Sequence, residues 1–287
     1  MTAALPVVRT VADLRAQVRA WRRDGLRIGF VPTMGFLHEG HLSLVDAARR
    51  ESDVVVMSIF VNPLQFAPSE DLDHYPRDLR RDRDLAEGRG VDALFLPTVT
   101  DMYPRGSETR VVPGATANRW EGEVRPGHFA GVLTVVAKLF HLVEPDVACF
   151  GQKDVQQATL VRQMVRDLDW PIRIRVCRTT RDADGLALSS RNTYLAASDR
   201  AQALGLSRAL RRGCESFARG ERRTSLLEAE MREVLSMHPG LAVEYIAIVS
   251  PENLEPVSEA AADSVAVVAG RVGRTRLIDN AILGEGL

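Results

Sequence analysis

Through Cys177, apolar and polar positions alternate in a repeating order of strand-like and helix-like segments. Val11 to Arg23 has apolar residues at helical spacing (Val11, Leu14, Val18, Trp21), which predicts an amphipathic helix. Arg27 to Val31 reads as a short strand ended by Pro32, and Gly40 to Arg50 as a helix carrying Leu42, Leu44, Val45 and Ala48. Val54 to Val61 is a near-continuous apolar run, the pattern of a parallel strand buried on both faces. A charged helix over Asp78 to Glu87 and a strand over Asp92 to Leu96 follow. Gly131 to Val143 then reads as a buried helix, Asp146 to Phe150 and Ile172 to Cys177 as strands, and Val155 to Asp167 as the helix between them. This alternation predicts a doubly wound α/β domain around a parallel sheet.

Beyond Asn192 the texture changes. Ser198 to Arg212 and Arg222 to Leu235 are long helical stretches, followed by strand-like segments at Val243 to Val249, Ser264 to Val272 and Arg274 to Asp279. Helices followed by strands predict a smaller α+β domain. The expected division is 1–183 and 184–287.

Composition narrows the function. The 37 Lys and Arg against 38 Asp and Glu give a net charge of -1, which offers no support for a nucleic-acid partner. Cys149, Cys177 and Cys214 are too scattered for a disulfide framework or metal-ligand spacing and read as structural thiols. Met1 to Thr10 has no basic region followed by an apolar run, and no apolar stretch reaches the roughly 18 residues of a membrane span. A soluble, cytoplasmic protein is expected.

The segment Val31 to Val45, VPTMGFLHEGHLSLV, carries the most chemistry. A strand, a turn at Pro32 and Gly35, and a helix start near Gly40 aim backbone N–H groups and a positive helix end into one space, which suits phosphate. His38 and His41, three apart, place both rings on neighbouring surface there. One such histidine alone reads as solvated surface; two at a strand–turn–helix junction point to phosphate. A metal reading fails because no nearby carboxylate or thiol completes a ligand set.

Asn62 and Gln65 fall at the carboxyl edge of a buried strand, where open α/β sheets bind ligands, although Asn-Pro is also a common turn signal. GQKD, Gly151 to Asp154, repeats the strand-to-helix geometry. Lys153 there opposes the helix dipole, which hints at an anionic ligand. Ser189, Ser190 and Arg191 in LSSRN suit phosphate oxygens, though Ser-rich turns are common. Arg125 and His128 sit on a Gly/Pro loop before a buried helix. Asp82 lies on a charge-rich helix face whose ordinary reading is solvent exposure.

HEGH resembles the HIGH signature of a nucleotidyltransferase superfamily. PTMGFLHEGH with SIFVNPLQF, YPRDLRRD, RPGHFAGVLTVV, FGQKDVQQ and DGLALSSRN, in this order, is similar to the pantoate–β-alanine ligase family. The resemblance runs from about Val31 to the C-terminus. It implies a Rossmann-like nucleotide- and pantoate-binding domain, a C-terminal lid, a homodimer, and condensation of pantoate with β-alanine through an adenylate made from ATP with Mg²⁺. It further implies that His38, His41, Lys153 and Arg191 are catalytic. ATP would meet Met34, Gly35, His38, Gly40, His41, Gly151, Lys153, Asp154, Thr180, Leu188, Ser189, Ser190 and Arg191. Gln65, Gln157, Asn62, Met34, Arg125 and His128 would meet pantoate or β-alanine, and Asp82 would lie near the metal. Two other functions fit part of the pattern: an adenylyltransferase that stops at nucleotide transfer, and an RNA- or nucleotide-binding protein descended from a synthetase-like fold.

Overall fold

The structure, a computed structural model, describes residues 5–67, 70 and 72–287; the first four residues of the stretch read for a leader lie outside the described residues. The chain forms two compact units, Met1–Gly151 with Leu160–Cys177, and Gln152–Thr159 with Arg178–Leu287. Segments 152–159 and 178–183, assigned to the first domain from sequence, thus fall in the second unit.

The first unit contains β1 (Val7–Val8), α1 (Val11–Arg23), β2 (Ile28–Thr33), α2 (Glu39–Glu51), β3 (Val54–Ile59), α3 (Leu79–Gly88) and β4 (Ala93–Phe95). The one-turn helices α4 (Val99–Met102) and α5 (Glu121–Val124), then α6 (His128–Val143), β5 (Val147–Gly151) and β6 (Arg173–Cys177) complete it. Helix α7 (Val155–Asp167) begins in the second unit's segment and ends in the first. All strand pairs are parallel, in the order β1-β4-β3-β2-β5-β6. The direction of winding reverses between β2 and β5, the switch point at which ligands bind in such sheets. β3 is buried through Met57, as its unbroken apolar run requires, and β2 and α2 share its core through Val31, Val45 and Ala48.

Pro32 lies inside β2 rather than ending it. Thr33 accepts the Phe60 N–H through its carbonyl, so the alternation of a parallel ladder turns Pro32 toward β5. β5 pairs only with Gly29 and Phe30, so no ladder donor is needed at residue 32. Helix α6 starts at His128, three residues before the apolar periodicity suggests. β1, only two residues long, left no periodic signal. Cys149 and Cys177, remote in sequence, are joined by a thiol–thiol hydrogen bond across β5 and β6, which pushes Cys149 up and Cys177 down.

In the second unit, α8 (Ala197–Ala218) and α9 (Thr224–Ser236) pack on the antiparallel sheet of β7 (Leu241–Val249), β8 (Val265–Val272) and β9 (Thr275–Ile282). α8 continues past Arg212 and Gly213 because Cys214 and Phe217 extend its buried stripe. The core gathers Leu206, Leu210, Leu227, Met231, Ile248 and Val268. Among the described residues no helix is long and apolar enough to cross a membrane.

Candidate active site

In the first unit, the turn after β2 is built to present α2. Thr33 Oγ1 donates to the Ser58 carbonyl (2.7 Å) and accepts the Gly35 N–H (3.2 Å). Gly35 has φ +86, and a Cβ there would stand 2.8 Å from Ile59 Cγ2 and 3.0 Å from Asp82 Oδ2, so the turn accepts no side chain. Phe36 follows in the left-handed region at φ 51, a strained conformation for a bulky residue. Asp82 holds it: its Oδ2 accepts the Phe36 N–H (2.8 Å) and its Oδ1 the Leu37 N–H (2.7 Å). Arg81 donates to the Leu37 carbonyl (2.8 Å). Asp82 is therefore not the solvated surface charge expected on a charged helix; it is 2% exposed. Burial pushes its carboxyl up, while the two amide donors and Arg81 oppose that rise.

His38 caps α2 in extended conformation, and its N–H donates to His41 Nδ1 at 3.4 Å. The ring centroids of His38 and His41 are 4.0 Å apart, so the three-residue spacing does bring the two imidazoles together. In the neutral form, a ring accepting at Nδ1 carries its proton on Nε2, a donor suited to an anion. Glu39, in the first turn where an acidic group favours the dipole, is paired with Arg89.

The turn after β3 presents Gln65. Asn62 Nδ2 donates to Gln65 Oε1 (3.1 Å) and to the Gly131 carbonyl (3.1 Å). Its Oδ1 accepts from the Tyr103 hydroxyl (2.9 Å) and the Leu64 N–H (3.2 Å). The amide's two donors and two lone pairs are all in use. Asn62, expected to touch substrate, here orients Gln65. Burial raises the Tyr103 hydroxyl to about 12, which keeps it a donor. Gln65 Nε2 meets the thioether of Met34 (3.0 Å), a weak acceptor that a substrate oxygen would outcompete. A Cβ on Gly131 would fall 2.1 Å from the Leu64 carbonyl oxygen; only glycine lets α6 approach this turn.

Arg125 and His128, also expected at the substrate, hold the same residue by its backbone. His128 Nδ1 donates to the Gln65 carbonyl (2.8 Å), and Arg125 Nη1 donates to His128 Nε2 (3.0 Å). Arg125 is paired with Glu70 through Nε (2.6 Å) and Nη2 (2.7 Å). Burial, then the Arg125 charge, lowers His128 to about 4, so the ring is neutral and the donor assignment is self-consistent. Burial raises Glu70, but the Arg125 hydrogen bond and charge together bring it below its ordinary value. Glu70, Tyr103 and Gly131 had no local signal in the sequence, because each works through a partner more than 40 positions away.

The second unit carries most of the other groups expected at phosphate from the sequence. Lys153 and Asp154 lie in a 3₁₀ turn, Gln152–Asp154, ahead of α7, whose first turn carries Gln157. Residues 180–188 form a hairpin that leads into the serines of DGLALSSRN. Arg181 bridges Ala187, the Leu188 N–H donates to the Thr180 carbonyl (2.9 Å), and the Gly185 N–H donates to the Asp182 carbonyl (2.9 Å). Ser189 caps the turn Ser190–Tyr194 by accepting the Arg191 N–H (3.3 Å), and Ser190 is buried. Gly151, expected to admit close backbone approach, has open space where a Cβ would stand.

Among the described residues no three His, Cys, Asp or Glu side chains are grouped to hold a metal ion. Each Asp82 oxygen gives a lone pair to an amide, so the task this carboxylate performs here is to hold the Phe36–Leu37 turn.

Comparison with known proteins places the chain in a family. A family model described as pantoate-beta-alanine ligase matches residues 6–282. A pantothenate synthetase of Moorella thermoacetica is 51% identical over 279 residues, 97% of this chain and 99% of that one. The crystal structure of pantothenate synthetase from Thermus thermophilus superposes with a TM-score of 0.93 at 51% identity, over 97% of this chain and 99% of that one. The pantoate-beta-alanine ligase of Francisella tularensis, complexed with beta-gamma ATP and beta-alanine, gives 0.78 at 34% identity over 98% of each chain.

Proposed function

The chain belongs to the pantoate-beta-alanine ligase family, and we infer from that membership and from the groups described above how it works. It is an ATP-dependent ligase that joins pantoate to β-alanine through an amide bond. In our reading a pantoate carboxylate oxygen attacks the α-phosphorus of ATP, and the bond to the bridging oxygen breaks to release pyrophosphate. The β-alanine amine then attacks the acyl carbon of the pantoyl adenylate, loses a proton, and AMP departs.

The protein's part is alignment and charge stabilisation rather than covalent catalysis. His38 and His41 donate to phosphate oxygens at the positive end of α2. Lys153 supplies a point charge, and Ser189, Ser190 and Arg191 hold the leaving pyrophosphate. Met34, Gly35, Gly40, Gly151, Asp154, Thr180 and Leu188 complete the nucleotide contacts. Gln65 and Gln157 bind pantoate, with Gln65 exchanging its Met34 sulfur contact for a substrate oxygen. Asn62, Arg125 and His128 act through Gln65. Mg²⁺ arrives on the nucleotide, where it offsets phosphate charge while keeping much of its hydration shell. The second unit as a whole acts as a lid, and the enzyme is a cytoplasmic homodimer, both on the ground of the family resemblance; sedimentation at twice the monomer mass tests the dimer.

The observation that carries this reading is the pairing of the two imidazoles, 4.0 Å apart, at the first turn of α2. Pantoate-dependent exchange of labelled pyrophosphate into ATP tests it. Folded protein that makes pantothenate without such exchange would refute the adenylate.

A further inference from the structure

We propose that Asn280 is a positioning residue that sets the direction of Lys153. It lies in β9, within the run Leu277 to Leu283, where Asp279 and Asn280 interrupt an apolar strand. Consecutive strand residues face opposite sides, so a polar pair in such a strand cannot be explained by one solvent-facing side. Both are buried, Asp279 at 4% and Asn280 at 2% exposure. An amide buried that deeply is costly unless its hydrogen bonds are made, and these are.

Asn280 Nδ2 donates to the carbonyls of Gln152 (2.9 Å) and Lys153 (2.9 Å), and its Oδ1 accepts from Gln152 Nε2 (3.3 Å). The Gln152 carbonyl belongs to the peptide plane entering Lys153, and the Lys153 carbonyl to the plane leaving it. Holding both planes holds the Cα–Cβ direction of Lys153, which the sequence of a short 3₁₀ turn could not do by itself. The lysine keeps its flexible stem, but its root is fixed.

Asp279 braces the same strand to the 180–188 hairpin that leads into LSSRN. Its carboxylate accepts from Arg181 Nη1 (2.7 Å) and Nη2 (3.0 Å), and Oδ1 also accepts the Asn280 N–H (2.8 Å). Arg181 in turn donates to the Gly185 carbonyl (3.2 Å). The Lys153 turn and the hairpin that precedes the serines are therefore referenced to adjacent residues of one strand inside one unit. Asp279 supports the frame, and Asn280 touches the backbone on both sides of the lysine.

This inference rests on the reading of Lys153 as a phosphate-facing group, and the test separates the two. Pyrophosphate exchange is measured for Asn280→Ala, Lys153→Ala and the double variant, with thermal unfolding of each. Asn280→Asp, equal in volume but without the two donors, serves if the alanine variant does not fold. A 280 substitution alone should slow exchange about 10- to 100-fold, the scale of a small misplacement of a reacting group. In the Lys153→Ala background it should slow exchange no more than about twofold, since the residue it positions is gone. An equal factor in both backgrounds, or near-wild-type exchange by a folded 280 variant, would overturn the positioning role. Near-wild-type exchange by Lys153→Ala would overturn the premise, and that result is visible without any 280 variant.

Discussion

Asp82→Asn separates a structural role for this carboxylate from a metal-binding one. The native side chain accepts the Phe36 N–H at 2.8 Å and the Leu37 N–H at 2.7 Å, one on each oxygen. Asparagine keeps one acceptor and turns an NH₂ group toward the other N–H. One hydrogen bond to a charged group, worth about 1.5–3 kcal/mol, is lost, and a buried donor is left facing another donor. Removal of the buried charge, whose desolvation pushes the Asp82 carboxyl up, offsets part of this. The net is about 2 kcal/mol, or a fall of roughly 3–4 °C in Tm for a chain of this size. The loss falls on Phe36, already in the left-handed region, two residues before His38. Displacement of that loop should lower kcat by up to about 100-fold. The assay is pyrophosphate exchange across a Mg²⁺ titration, beside thermal unfolding. A clamp lowers exchange at every Mg²⁺ concentration with the half-saturating concentration unchanged. A wild-type Tm with a several-fold higher Mg²⁺ requirement would refute the clamp and return Asp82 to the metal.

Gly131→Ala places a Cβ 2.1 Å from the Leu64 carbonyl oxygen and 2.7 Å from the Gln65 nitrogen, so α6 or the Gln65 turn must move. Overpacking against backbone costs about 1–3 kcal/mol, and the KM for pantoate should rise as Tm falls; an unchanged KM would show that the turn tolerates the shift. Gln65→Ala should raise the KM for pantoate by about tenfold while leaving that for ATP within about twofold, and equal changes in both would remove Gln65 from pantoate binding. His128 is held at about 4 against an ordinary 6.5, so the folded chain binds fewer protons than the unfolded one between those values. Its contribution is complete above pH 6.5 and falls by up to about 3 kcal/mol as pH drops to 4, which denaturant titrations should register. His128→Gln should flatten that slope, and parallel curves for the two proteins would refute the buried neutral ring.

The pattern of hydrophobic positions determined a large part of the architecture. The apolar run at Val54 is legible as a doubly buried strand because burial on both faces leaves no polar alternation, and β3 answers to it. His38 and His41 could be read as neighbours because three residues on a helix nearly complete a turn, a purely local geometry. Strand-end polar residues such as Gln65 were visible for the same reason: their signal lies within a few positions.

Roles that depend on a distant partner were not visible. Asp82 reads as a surface charge among arginines until the fold delivers two backbone amides from residues 36 and 37. Asn62, Arg125 and His128 read as substrate contacts, yet their hydrogen-bonding groups engage Gln65 and its surroundings, a choice set by the close approach of α6 at Gly131. The last strand-like segment ends at Asp279 and leaves Asn280 outside it, whereas β9 runs on to Ile282 and buries Asn280 against Gln152 and Lys153. Local periodicity determines which face of an element is apolar. Which buried polar atom meets which is decided only by tertiary packing, since a hydrogen bond between residues 128 positions apart has no sequence spacing to reveal it.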